Sequence, residues 1–171
     1  MALKRFLMLK TLVKDCEDAG YSVRYLRRFP FMCANRSDKY ELLIQNENAA
    51  FAVKLWSAVK VHNTLVVKKN GTVREGMLLC DPINPERSRK RLVGGTEKTV
   101  PVTRRNFRVK KDKIVHTVLL YYPRNERAFV EADGRRIDLC DGQRLFGKIL
   151  CSPESLVEML IAKKKGNYGS I

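Results

Sequence analysis

The chain has 171 residues, 44% of them apolar and 30% charged, which suits one folded domain whose core needs no disulfide or metal to hold it. Its 34 Lys and Arg against 18 Asp and Glu leave a net charge of +16, so polyanions are the expected partners, nucleic acid first and an acidic membrane face second. A disordered tail is excluded by the apolar content, and a transmembrane helix by the lack of any apolar run near the ~20 residues a bilayer requires.

Taken in chain order, residues 3–18 place Leu3, Phe6, Leu7, Leu9, Leu12, Val13 and Cys16 at helical spacing, and Gly20 stands where such a helix would end. Lys4, Arg5, Lys10 and Lys14 are interleaved among Leu3, Phe6, Leu7 and Val13, a pattern that also suits a helix lying on a membrane surface. The apolar run before Lys10 is too short for a signal peptide. Residues 21–27 alternate as a half-buried strand, and Pro30 breaks the chain before a hairpin over 40–56. A second hairpin is expected from 63–68 and 72–79 across Lys69-Asn70-Gly71.

From Asp81 to Lys113 the character changes. Pro82, Pro85, Gly94, Gly95 and Pro101 punctuate it, and residues 87–113 hold eleven basic residues against Glu97 and Asp112, a net +9. This stretch is expected to be a long, flexible basic loop inserted in the single domain 1–171, with Arg87, Arg89, Lys90, Arg91, Arg104 and Arg105 as its nucleic-acid contacts. The plainer alternative is a solvated excursion whose charge serves solubility. Gly94-Gly95 reads as a flexible joint.

Residues 114–122 then form an apolar run ended by Pro123, expected as a strand buried on both faces. Asp133-Gly134 predicts a hairpin between 128–131 and 135–139. A closing helix is expected with Ser152 as N-cap, Pro153 at its first position, Leu156, Val157, Leu160 and Ile161 on one face, and Gly166 at its end. Lys163, Lys164 and Lys165 fall in its last turn, where they complement the helix dipole.

Five widely spaced cysteines without a Cys-x-x-Cys pair suit free thiols in a reducing, cytoplasmic setting. Neither His62 nor His116 stands at a zinc-ligand spacing, and His116 reads as a core residue rather than a general base. No phosphate-binding loop, nucleophile elbow or dinucleotide turn is present. Tyr121, Tyr122 and Phe129 could stack on bases, but their place in or beside apolar strands favours core packing.

The hairpin over 40–56 carries the sharpest chemical suggestion. A metal-dependent phosphodiesterase holds Mg²⁺ through oxygen ligands and sets a cation beside the scissile phosphate. Two strands can do this when an acid on one faces an acid and a lysine two residues apart on the other, because alternation puts i and i+2 on one face. Here Ala52 and Lys54 hold that relation. A two-residue turn at Glu47-Asn48 would set Glu41 opposite Lys54, whereas a three-residue turn would set it opposite Val53 and abolish the arrangement. The plainer alternative is an ordinary hairpin with Lys54 in water.

Helix, strands and a hairpin ending Phe51-Ala52-Val53-Lys54-Leu55-Trp56 together resemble the nuclease-related (NERD-like) domain of the PD-(D/E)XK superfamily over roughly residues 3–60 and 114–165. The resemblance implies an α/β (α+β) restriction-endonuclease-like mixed sheet with an N-terminal and a C-terminal helix. It matches Lys54 to the family lysine, Trp56 to the aromatic after it, and Asp38 or Glu41 to the first acid. Ala52 stands where the family has its second acid, and Asp15, Glu17 or Asp18 is the candidate to replace it from the first helix. The implied function is a non-catalytic or weakly active nuclease-like domain that binds nucleic acid through its basic surface. The alternatives are an active Mg²⁺-dependent nuclease with Glu41 as metal ligand and Glu41 and Lys54 as catalytic pair, and a basic adaptor for an acidic protein or for peripheral contact with a membrane.

Overall fold

The structure, a computed structural model, describes residues 2–27, 38–58, 60–79 and 91–164. Among the described residues the architecture is mixed α+β, two helices with two mixed sheets, and the chain divides into two compact units. The first unit comprises residues 1–56, 101–122 and 140–171, and the second residues 57–100 and 123–139.

In the first unit, α1 (Ala2–Asp18) ends as the sequence predicts. Gly20, at φ +86°, donates to the Glu17 carbonyl, and Tyr21 donates to the Cys16 carbonyl, the paired bonds of a Schellman cap. Six strands follow in the spatial order β1 (Ser22–Tyr25), β2 (Leu42–Gln45), β3 (Ala49–Trp56), β7 (Ile114–Tyr121), β11 (Lys148–Cys151) and β10 (Arg144–Leu145). The pairs β1/β2, β2/β3 and β10/β11 are antiparallel, while β3/β7 and β7/β11 are parallel. The closing helix α2 (Pro153–Lys164) begins with the Ser155 amide donating to Ser152 Oγ, the expected N-cap.

Both helices pack on one face of this sheet. Leu9, Leu12 and Cys16 of α1 and Leu156, Met159 and Leu160 of α2 close over Leu42, Ile44, Phe51, Val53, Val118 and Leu120. Met159 thus belongs to the buried face of α2 where the sequence pattern suggested Ile161, which is 40% exposed. On the opposite face Leu43, Ala50 and Ala52 meet Tyr40 and Phe107, the latter delivered by the segment after Pro101. Burial of β7 is confined to Val118–Tyr121, and Ile114 and Val115 are exposed. The cause is pairing: β11 reaches β7 only from Val118 onward, so the first half of the strand has β3 alone beside it.

The second unit is a five-stranded sheet, in order β6 (Arg91–Thr99), β5 (Thr72–Leu79), β4 (Thr64–Lys68), β8 (Arg127–Ala132) and β9 (Arg135–Asp138). Both expected turns are present, Gly71 at φ +83° and Asp133-Gly134 at φ 52° and 74°. The expectation of a flexible loop over 81–113 is corrected for residues 91–99. Residues 80–90 lie outside the described residues, 91–99 form β6, and the chain from 101 belongs to the first unit. Gly95 is no loose joint either: a Cβ there would come within 2.6 Å of the Glu75 carbonyl oxygen, so the glycine allows β6 to close on β5 beside the bulge at Gly76.

Inside this unit Glu75 is buried and its Oε1 accepts from the Lys60 amide at 2.8 Å and from Asn125 Nδ2 at 3.1 Å. Asn125 also donates to the Lys60 and Asn63 carbonyls, which fastens the approach to β8 onto the approach to β4.

Candidate functional site

The register that decides the hairpin's chemistry is the two-residue one. Leu42 pairs with Val53 and Gln45 with Ala50, and the Asn46 amide donates to the Ala49 carbonyl. Asn46 also turns its side chain over the loop, Oδ1 accepting from the amides of Asn48 at 3.0 Å and Ala49 at 2.8 Å. Continuing that ladder sets Glu41 across from Lys54, and the Glu41 amide donates to the Val53 carbonyl.

Lys54 does not point to water. It and Glu41 are both 0% exposed, with Nζ 2.5 Å from Glu41 Oε1 and donating to the Lys39 carbonyl at 3.1 Å. Glu41 Oε2 accepts from the Leu55 amide at 2.9 Å, and Arg27 stands 3.7 Å from Oε1. Burial pushes the Glu41 carboxyl above the usual carboxylate range, while Lys54, the Leu55 amide and Arg27 pull it back. Each charge is therefore matched inside the protein, the condition under which a buried pair is tolerated.

The surrounding face is closed by chain from 101–109. Asn106 accepts from the Tyr40 amide and donates to the Tyr40 carbonyl, both at 3.1 Å, which clips this segment beside the start of β2. Thr103 Oγ1 donates to the Tyr40 hydroxyl, and the Phe107 ring meets Tyr40 edge-on at 5.6 Å. Trp56, two residues beyond Lys54, is buried and stacks on Tyr121 at 4.5 Å. Tyr121 is thus a core residue, as its apolar run suggested.

The residues of a magnesium site do not assemble. Ala52 supplies no second carboxylate, and both oxygens of Glu41 are engaged. Asp38 is exposed and faces Arg104, its Oδ2 3.4 Å from Nε. Asp15, Glu17 and Asp18 ride on α1, whose packing face lies against the other side of the sheet from Ala52, so they cannot stand in for the missing acid. Among the described residues no three Asp, Glu, His or Cys side chains converge as a metal site.

The expected nucleic-acid contacts are divided. Arg87, Arg89 and Lys90 lie outside the described residues, and Arg91 opens β6 in the second unit. Arg104 and Arg105 belong to the first unit, Arg104 beside Asp38 and Arg105 with its guanidinium 5.1 Å from the Phe107 ring centre.

A second feature went unread in the sequence, an open cleft of about 1030 Å³ in the first unit. Its walls are the end of α1, the β2–β3 turn, residues 110–114, His116 and the end of α2. His116 lies flat on Phe51 at 5.0 Å, with Nε2 2.6 Å from Lys163 Nζ. Burial and the charges of Lys163 and Arg144 lower its pKa. The cleft's lining comes from four separate chain segments, so no local spacing could have announced it.

No protein-family model, curated protein or solved structure matches this chain. The architecture defines a mixed α+β protein with a buried acid–lysine pair at its hairpin, and no family is assigned to it.

Proposed function

We propose that this protein is a non-catalytic, nuclease-like nucleic-acid-binding protein, of restriction-endonuclease-like (NERD-like) descent in its first unit. The carrying observation is that Glu41 and Lys54, which the resemblance matches to catalytic positions, are 0% exposed and matched to each other, with Ala52 where a second metal-binding acid would stand. Mg²⁺ is held by few direct protein ligands and is sensitive to the loss of one. A helix before an antiparallel hairpin, a later parallel strand and a closing helix is the layout the resemblance leads one to expect. The net +16 supplies the attraction for polyanions. Free Cys16, Cys140 and Cys151 accord with a reducing, cytoplasmic setting. The membrane-adaptor reading is weaker, because, of its apolar residues with described side chains, Leu7 is exposed while Phe6 and Val13 are half-buried.

Plasmid nicking and oligonucleotide retention test this together. The expected result is retention that weakens steeply with salt, and no nicking with Mg²⁺ or Mn²⁺. Nicking abolished by Lys54→Ala would overturn the non-catalytic half. Absence of DNA and RNA binding at low salt would overturn the rest.

A further inference from the structure

The cleft at the ends of α1 and α2 gathers positive charge from distant parts of the chain. Lys110, Lys113, Lys163 and Lys164 line it with His116, against two acids, Glu47 and Asp112. Even with His116 neutral the lining carries a net +2, from four lysines and two carboxylates.

Three of these lysines are held in place by the fold. Lys113 Nζ donates to the Asn46 carbonyl at 2.6 Å, which ties residues 110–114 to the β2–β3 turn. Lys164 Nζ donates to the Ala19 carbonyl at 3.0 Å, at the C-terminal end of α1. Lys163 Nζ sits 5.6 Å from the Phe51 ring centre and beside His116 Nε2, which accepts its hydrogen bond. An ammonium has three N–H donors, so the two contacts of Lys113, to the Asn46 carbonyl and at 3.5 Å to Gln45 Oε1, and the contact of Lys164 to the Ala19 carbonyl orient each group without exhausting it. Side chains already ordered lose little further freedom when a ligand arrives.

The electrostatics agree with that geometry. Burial and Arg144 lower the Lys163 pKa, and burial, Lys163 and Arg144 lower that of His116. Positive groups crowded to this degree are relieved by a negative ligand. The cleft is at the upper end of ligand-pocket size, and its opening to solvent leaves room for a chain to enter and leave.

We propose that this cleft, lined by Lys110, Lys113, Lys163 and Lys164, grips the phosphate backbone of the bound nucleic acid. The inference rests on the nucleic-acid-binding reading above and moves the principal contact away from residues 87–91. Lysines act here as point charges on phosphate oxygens, so the contact reads no base and is strongly salt-dependent.

Two variants with equal charge change separate the possibilities. Lys110→Glu with Lys164→Gln alters the cleft at exposed positions, and Arg127→Glu with Arg135→Gln alters exposed positions of the second unit. Each is measured by fluorescence anisotropy with labelled 20-mer DNA and RNA across a salt series, with Lys110→Glu alone as a milder cleft variant. Trp56 fluorescence verifies the fold of each. The cleft pair should lose about tenfold or more in affinity and flatten the salt dependence by between one and two counterions, and Lys110→Glu should lose a smaller part. The second-unit pair should stay within about threefold of the unaltered protein. Equal losses in both pairs, or none in the cleft pair while the unaltered protein binds, would overturn the cleft assignment alone. Failure of the unaltered protein to bind would overturn it together with the function it rests on.

Discussion

Replacing Lys54 by Met is expected to destabilise the first unit strongly, and more so as pH rises. The substitution keeps an unbranched side chain of similar length and deletes the ammonium that lies 2.5 Å from Glu41 Oε1. Glu41 is left at 0% exposure with the Leu55 amide on Oε2 and Arg27 at 3.7 Å from Oε1. Removing one partner of a buried pair costs about 3–5 kcal/mol, because the remaining charge has lost both water and its counterion. With a urea slope of ~2 kcal/mol/M, the unfolding midpoint falls by roughly 2 M. Trp56 is the sole tryptophan, buried against Tyr121, so its fluorescence reports this unit directly. Glu41 can escape the penalty by taking a proton. Its folded pKa is already above the ordinary value through burial, and without Lys54 it rises further. A raised folded pKa means stability that is present below the unfolded value of 4.5 and lost as pH climbs through the folded one. The variant should therefore lie closest to the unaltered protein near pH 4.5 and farthest from it at pH 7.5. Glu41→Gln added to Lys54→Met should recover most of the loss at pH 7.5. A midpoint shift below about 0.3 M at pH 7.5, or a penalty that does not change with pH, would refute the sealed-pair account.

Three further substitutions or reactions probe other parts of the fold. Asn125→Ala deletes donors to the Lys60 and Asn63 carbonyls and to Glu75 Oε1, and should cost the second unit about 2–3 kcal/mol, seen as faster amide exchange in β4 and β5; unchanged exchange there would contradict it. Gly20→Ala forces a side chain onto φ +86° and sets its Cβ 2.5 Å from Lys164 Nζ, so about 1–2 kcal/mol should be lost in Trp56-detected unfolding, and a loss under ~0.3 kcal/mol would count against the helix-cap reading. Burial pushes the Cys16 thiol up to about 12 and the Cys151 thiol to about 11, whereas Cys140 is exposed, so a disulfide reagent at pH 8 should label Cys140 in the folded protein and the other two only on unfolding; rapid native labelling of Cys16 would refute its burial.

The helices and most strands were legible because short-range patterns determine them. Gly20, Asn70-Gly71, Asp133-Gly134 and Ser152-Pro153 all do locally what their residue types imply. β6 was not legible. Its run from Arg91 to Thr99 contains two glycines and no clean alternation, and it is a strand because its backbone pairs with β5, with Gly95 fitting where a Cβ would strike the Glu75 carbonyl. Propensity describes how a residue suits a half-buried pleated surface and says little where the partner's backbone decides the matter.

The hairpin occupies middle ground, and that bears on what Lys54 can do. Alternation sets Lys54 and Ala52 on one face, and the Asn46 turn selects the register that brings Glu41 across from Lys54. Neither relation determines whether that face meets water or protein. Part of the answer comes from residues more than fifty positions beyond Lys54 in sequence: Asn106 clips onto Tyr40, and Phe107 joins the cluster of Tyr40, Leu43, Ala50 and Ala52. The same acid and lysine would be poised for phosphate chemistry beneath open solvent. Beneath this cover, with Ala52 beside them in place of a second carboxylate, they neutralise each other, and the proposed contact with nucleic acid falls to the lysines of the cleft instead.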